Sequence, residues 1–342
     1  MRFLECGKRT FLAIGGACAL AIALPFGAAR AQTKTYVMKI TTPTIHAALD
    51  QYAREFVAEV EKDSGGRIKG QVYPASQLGS IPRQIEGTQF GSIQVAIIPP
   101  EFFVGVDQRF EVLAAPGLVS TMKQGQRVAA NPQVIKLMLG LGANKGLHGI
   151  GLFMAEPAVV VSRSAIRHLA DFKGKRLRIF ASQFQSVAFQ RLGVTPIAMS
   201  PSDVLPAIQQ GTLDGAVFGV TLLSGLHFYD SAKYVTMTRH SGIFAMVEVS
   251  KKWYDSLPAD LQKIIDRDGA KEAVAINPQA VQISDAARKV WLKGGGELIN
   301  LPAAEQAKML DIMGSVGDDV AKSKPPLQAA YNVVKEAAHQ AK

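Results

Sequence analysis

The sequence predicts an α/β protein of two similar units, each a sheet of mainly parallel strands covered by helices. Two observations lead there. Short apolar runs alternate with amphipathic stretches in the order β-α-β-α-β over residues 36–98, and strands and helices alternate again over 157–220. That order calls for parallel strands with crossover helices on the sheet faces. A local pattern also occurs twice. Gln89-Phe-Gly-Ser-Ile-Gln-Val-Ala-Ile97 parallels Gln209-Gln-Gly-Thr-Leu-Asp-Gly-Ala-Val217, each being helix, glycine stop and strand. Glycine suits the left-handed cap that turns a helix sharply into a strand. Duplication of a unit and the shared grammar of βα segments both account for the echo.

The first elements are not part of this fold. Arg2, Lys8 and Arg9 form a basic segment, residues 11–26 are largely apolar, and Ala29-Arg-Ala31 is a small-x-small cleavage site. Residues 1–31 are therefore expected to be a signal peptide, with the mature chain starting at Gln32. The apolar run is shorter than the ~20 residues a membrane span needs. Lys8-Arg-Thr-Phe-Leu12 resembles a twin-arginine signal with Lys for the first Arg, so both export routes stay open. Both cysteines, Cys6 and Cys18, lie in this leader. An exported chain without disulfides depends on its apolar core, which 48% hydrophobic residues supply.

After the leader, residues 36–41 are expected to form a strand closed by Pro43. Leu49, Tyr52, Ala53, Phe56, Val57 and Val60 share one helical face that ends at Gly65-Gly66. Residues 68–73 alternate as a strand stopped by Pro74, 81–89 form a short helix, and 94–98 a buried strand. The second unit has strands at 157–162, 177–180 and 216–220, with helices at 187–192 and 201–210. Residues 257–262 and 271–292 are expected to be helical, the glycines at 294–296 break the run, and 328–342 form a surface helix.

Several function classes are disfavoured. The net charge of +10 is dispersed, with no cluster of basic and aromatic residues, so nucleic acid is not an expected partner. A positive field suits anionic small molecules instead. No G-x-S-x-G elbow is present, and the histidines show no zinc-binding spacing. Gly140-Leu-Gly-Ala-Asn-Lys-Gly146 has one residue too many for a dinucleotide loop and follows no strand. No cofactor, metal or catalytic residue is expected.

The segment 171–180 carries the chemistry. It sets Arg178 near the end of a short apolar strand, and 207–215 leads through a helix to the next strand. In open α/β sheets ligands sit outside the carboxyl ends of strands, and a guanidinium is a fork shaped for a carboxylate. A solvated edge-strand arginine is the alternative, and it describes Arg176.

Ser64-Gly-Gly-Arg-Ile68, Val72-Tyr-Pro-Ala-Ser-Gln-Leu-Gly79, Lys173-Gly-Lys-Arg-Leu-Arg-Ile179 and the run 207–215 stand in the order and spacing of one family, joined by 84–94, Leu192-Gly193, Pro196, Met199, 234–240 and 253–262. Over nearly its whole mature length the chain resembles the DctP-type substrate-binding proteins of tripartite ATP-independent periplasmic (TRAP) transporters. The resemblance implies a type II periplasmic binding protein fold. Its two α/β domains are joined by crossing strands and a long helix, and close over a ligand in the cleft between them. The implied domains are 32–154 plus about 244–283, and 155–243 plus about 284–342 with the C-terminal helices.

The resemblance places Arg178 on the family's carboxylate-binding arginine. It implies an organic anion as ligand, small and large TRAP membrane subunits as partners, a periplasmic location and a monomer. The chain departs from the family at two positions. Phe218 stands where the family commonly has an asparagine, and many members carry a second arginine near residues 153–157, where this chain has Met154-Ala-Glu-Pro157. One arginine with Phe218, joined by Phe153, Phe180 or Phe184, suits a monocarboxylate with an apolar or aromatic body; for Phe180 a core role is the better expectation. Glu156 alternatively suits a cationic or hydroxyl group. Thr42, His46 and Gln77, on loops after strands, are further candidate contacts. Ser182 opens a helix whose N–H groups suit a carboxylate, unless it is an ordinary cap. The alternatives are a module of the same fold feeding a sensor, and less favoured, a periplasmic enzyme; co-encoded membrane subunits separate the first from the transporter reading.

Overall fold

The computed structural model describes residues 34–322 and 324–342; the leader and both cysteines lie outside them. Strand β1 (Tyr36–Thr41) leads into helix α1 (Ala48–Asp63), which buries Leu49, Tyr52, Ala53, Phe56 and Val60 on one stripe. β2 (Ile68–Tyr73), α2 (Ile81–Phe90) and β3 (Val95–Ile98) follow. β1 pairs in parallel with both β2 and β3. The chain then makes 3-10 turns at Pro100–Phe103 and Gln108–Ala114, and helices α3 (Met122–Ala129) and α4 (Pro132–Leu139).

A long strand, β4 (Leu147–Pro157), runs on through Ala158 into β5 (Val159–Ser162). The second unit comprises β6 (Arg176–Ile179), α5 (Gln183–Arg191), β7 (Thr195–Ala198), α6 (Pro201–Gln209), β8 (Gly215–Phe218), α7 (Val220–Gly225) and β9 (Tyr234–Thr236). β10 (Gly242–Ser250) returns antiparallel to both β3 and β4. After the short α8 (Lys251–Tyr254) come α9 (Ala259–Lys293), β11 (Glu297–Ile299), α10 (Ala303–Gly314), α11 (Val316–Ala321) and α12 (Pro325–Gln340).

Among the described residues these strands make a five-stranded sheet, β2-β1-β3-β10-β4, and a six-stranded sheet, β11-β9-β5-β8-β6-β7. The two echo each other. In the first, β1 lies between parallel neighbours β2 and β3, and β10 adds antiparallel beyond β3. In the second, β6 lies between parallel β7 and β8, and β5 adds antiparallel beyond β8. The repeated glycine stop sits at the same place in both, with Gly91 at φ 89° and Gly211 at φ 73°.

The chain crosses between the sheets at Ala158 and returns between β9 and β10, and α9 spans both. The Tyr52 hydroxyl of α1 donates to Gly269 O of α9 at 2.9 Å, and Ser224 Oγ of α7 donates to Ala287 O at 2.8 Å. Pro278 lies between those two anchor points. This is the two-lobed arrangement, with crossing strands and a long helix, that the resemblance implies. Thr35–Lys342 form one continuous body, and no described helix is long and apolar enough to cross a membrane.

Two local expectations need correction. The runs 257–262 and 271–292 belong to one 35-residue helix that starts at Ala259, with Leu257 and Pro258 just ahead of it. The C-terminal helix is not merely a surface helix: α12 buries Leu327, Ala330, Tyr331, Val334, Ala337 and Ala338. It lies on α3 and on the turn at Gln108–Ala114, and Gln124 Nε2 donates to Ala338 O at 3.2 Å.

Candidate functional site: a caged arginine in the cleft

Arg178 lies on β6, in register with Ile197 of β7 and Ala216 of β8. It is fully buried. Nε donates to Met199 O at 3.0 Å and Nη1 to Val217 O at 2.8 Å, while the buried Nη2 has no partner. Three rings face the guanidinium. Its Cζ is 4.3 Å from the centroid of Phe218, 4.6 Å from Phe180 and 5.8 Å from Phe102. A ring face attracts a cation, by about 0.5–2 kcal/mol depending on desolvation, but cannot replace hydration or a counter-ion. Burial accordingly lowers the Arg178 pKa to about 9, opposed by the charge of Glu101, so the group remains cationic at neutral pH. Glu101 is itself buried, and burial raises its carboxyl to about 7 against the pull of Arg178.

The cage opens on a cavity between the lobes. Phe102, Phe180, Phe218, Leu49, Ile243 and Glu156 are among its walls, and the space they enclose is about 40 Å3. A wider cleft of about 300 Å3 shares Pro43, Thr44, Pro201 and Leu222 with it and continues to Ala75, Ser76 and Leu226.

Glu156, at the end of β4, is 6% exposed. Its Oε2 accepts from Thr221 N at 3.1 Å, and its Oε1 accepts from the Thr221 hydroxyl. Burial raises its pKa to about 7, against the hydrogen bonds from Thr221 and the charge of Arg288. Gly219 is required beside it, because a Cβ there would lie 2.0 Å from the Glu156 carboxyl carbon.

The remaining sequence candidates divide by place. Phe153 is core: its ring stacks on Tyr52 at 5.1 Å, away from the cavity walls. Phe184 is also core, stacked on Tyr331 at 5.9 Å. Ser182 caps α5 by accepting from Gln185 N, and its hydroxyl donates to Glu111 Oε2 at 3.1 Å. Gln183 N donates to the same carboxylate. Thr42 is buried, and its hydroxyl donates to Thr44 O at 2.7 Å, which fixes the loop after β1 rather than presenting the oxygen to the cavity. His46 and Gln77 are exposed on loops at the cleft edge. Those loops are tied together by Ser76 N donating to Thr42 O and Ala75 N to Thr44 O. Arg176 is a paired surface arginine: its Nε and Nη2 bind the two oxygens of Asp214 at 3.1 and 3.0 Å.

Phe218, Phe180 and Glu156 are thus brought together as walls of one cavity, with Arg178 directly behind the first two rings, and Phe180 is a cage wall rather than plain core. Phe102 and Glu101 were missed. The rule that found Arg178 could have found them, since they follow the carboxyl end of β3 by a few residues. Among the described residues no group of three His, Cys, Asp or Glu is placed to hold a metal ion.

Residues 42–324 match the bacterial extracellular solute-binding proteins of family 7, DctP. The chain is 29% identical over 209 residues to the uncharacterised protein YiiZ of Salmonella typhimurium, a match spanning 61% of this chain and 64% of that one. It is 25% identical over 318 residues to the C4-dicarboxylate-binding periplasmic protein DctP of Rhodobacter capsulatus, spanning 92% and 94%. Its fold is similar to that of a TRAP periplasmic solute binding protein from Desulfovibrio salexigens solved with bound orotic acid, with a TM-score of 0.84, 22% identity, and 90% and 100% of the two chains covered. With the motifs, the fold and the family match in agreement over most of its length, the chain belongs to the DctP family of bacterial extracellular solute-binding proteins.

Proposed function

We propose that this protein captures an organic carboxylate in the cleft between its lobes and delivers it to the membrane subunits of a TRAP transporter. The observation that carries the reading is the state of Arg178. Its guanidinium is buried, held by two carbonyl oxygens and faced by three rings, and Nη2 has no partner. A carboxylate is the ligand group whose oxygens complete such a fork. Each charge-assisted hydrogen bond contributes about 1.5–3 kcal/mol. An unpaired buried cation is costly, so Arg178 also disfavours closure without an anion.

The phenylalanine and aliphatic walls favour a single carboxylate on an apolar or aromatic body. The Desulfovibrio relative holds orotic acid, a flat ring bearing one carboxyl group, which belongs to that class. Ligand pockets usually run from about 300 Å3 upward, whereas the inner cavity is about 40 Å3. Capture therefore needs the lobes to part and close again, with the closed state gaining ligand contacts that the open one lacks. The bodies that move are 32–154 with about 244–283, and 155–243 with about 284–322, pivoting at Ala158, at 237–241 and within α9. The expected stretch 284–342 is cut short because α12 packs on α3 and the turn at Gln108–Ala114 of the first body. The protein works in the periplasm as a monomer, after cleavage near Ala31, and releases its ligand unchanged.

A thermal-shift screen against carboxylic acids tests the reading. An acid at a hundredfold excess over its Kd should add about 2.7 kcal/mol of stability. A broad panel of mono- and dicarboxylic acids in which none raises the melting temperature would contradict it.

A further inference from the structure

We infer that Glu156 sets the charge of the ligand, selecting acids with one negative group against acids with two; the inference rests on the carboxylate reading above. Among the described residues Glu156 is the one charged wall of the cavity. Its carboxyl is not a mobile surface group. It reaches from the end of β4 to the start of α7, where the Thr221 hydroxyl and N–H hold both oxygens and Gly219 leaves room for it.

The elements packed around Glu156 bring one cation. From α7 it receives only the N–H and hydroxyl donors of Val220 and Thr221, from β10 its register partner is Ile243, and from α9 comes Arg288. Arg288 is not among the cavity walls, so it steadies Glu156 without offering a second anion a partner. Arg178 stands behind Phe180 and Phe218, and on the carboxylate reading the first carboxylate takes it up.

A diacid anchored on Arg178 would bring its second carboxylate into a small, largely apolar space walled by another carboxylate. Like charges repel strongly where water is excluded. Glu156 cannot swing away without giving up its bonds to Thr221, so relief comes only from taking up a proton. Burial sets that carboxyl at about 7, which makes the relief available in mildly acidic solution and not in alkaline. A neutral amide or hydroxyl in place of the second carboxylate meets no such repulsion and can donate to Glu156.

The test compares diacids with their half-amides, which match in size and differ in one charge: terephthalate with 4-carbamoylbenzoate, and succinate with succinamate. Affinities are measured by calorimetry on the mature protein at pH 8. The half-amide of the pair that binds should be favoured at least tenfold, about 1.4 kcal/mol, and in Glu156→Gln the ratio should fall towards one. A wild-type ratio near one overturns the inference, as does a tenfold ratio that survives in folded Glu156→Gln. A second measurement needs no variant. Between pH 8 and pH 6 both ligand carboxylates of terephthalate stay ionised while Glu156 gains its proton, so the wild-type preference should narrow; a constant preference overturns the inference. Failure of every acid and half-amide to bind would instead strike the carboxylate reading itself.

Discussion

At the residue scale, Arg178 is a buried cation with Nη2 unpartnered, and the proposed reading leaves its counter-charge to the ligand. Two backbone carbonyls satisfy part of the Arg178 fork, and the rings of Phe218, Phe180 and Phe102 keep water from the rest. Phe218 has two neighbours to serve, since its ring also meets Phe228 edge-on at 5.7 Å. Phe218→Asn should shift the ligand profile from aromatic acids towards polar ones, read as a change of rank order in the carboxylic-acid screen. An unchanged profile would remove Phe218 from ligand discrimination. Arg178 and Phe218 were legible in the sequence because a strand end and a departure from the family pattern point to them. Phe102 and Glu101 follow a strand end as well and the same rule reaches them, but they sit in a 3-10 turn after Pro99 with no periodicity to expose their direction. Phe153 and Phe184 lie near the right motifs, but proximity in sequence does not fix which way a ring faces, and both turn into the core.

At the element scale, the βα grammar was legible and the long connections were not. Glycine stops and amphipathic spacing located α1, α2, α6 and their strands within a residue or two. β4 and β10 are buried on both faces, so they show no alternation that separates them from other apolar stretches. The expected runs 257–262 and 271–292 leave 263–270 unassigned, whereas packing on α1 and α7 carries one helix from Ala259 to Lys293, through Pro278. The start of α5 is held from outside its own unit. Glu111, in the turn at Gln108–Ala114, accepts from Ser182 Oγ and Gln183 N. Glu111→Ala should destabilise the protein by about 1–2 kcal/mol, the usual loss for a helix cap, measured by urea denaturation. Glu111→Gln, which keeps an acceptor, should cost less. Equal stability of Glu111→Ala and wild type would show that the contact contributes nothing.

At the scale of the whole molecule, the buried acids predict how stability varies with pH. Burial raises the carboxyls of Glu101 and Glu156 to about 7 and Glu272 to about 8, from an ordinary value of 4.5. The folded chain therefore keeps protons that the unfolded chain releases. Their contribution is full below about pH 4.5, declines as pH rises towards 7–8, and then stays constant. Asp319 works in the opposite sense: Arg191 and Ser315 hold it at about 2, so its contribution is lost as pH falls below the ordinary carboxylate range. The melting temperature of the ligand-free protein should accordingly peak near pH 5 and fall towards pH 8. A steady rise from pH 5 to pH 8 would contradict this balance. Closure belongs to the same scale, because on the proposed reading the anion that completes Arg178 also offsets the desolvation of the closed form. The central claim is therefore tested most directly by titrating wild type and Arg178→Ala with the acid that gives the largest thermal shift, by calorimetry at one pH. The account predicts saturable binding to wild type and at least a hundredfold weaker binding to a folded Arg178→Ala, about 2.7 kcal/mol. Wild-type affinity in that variant would contradict it.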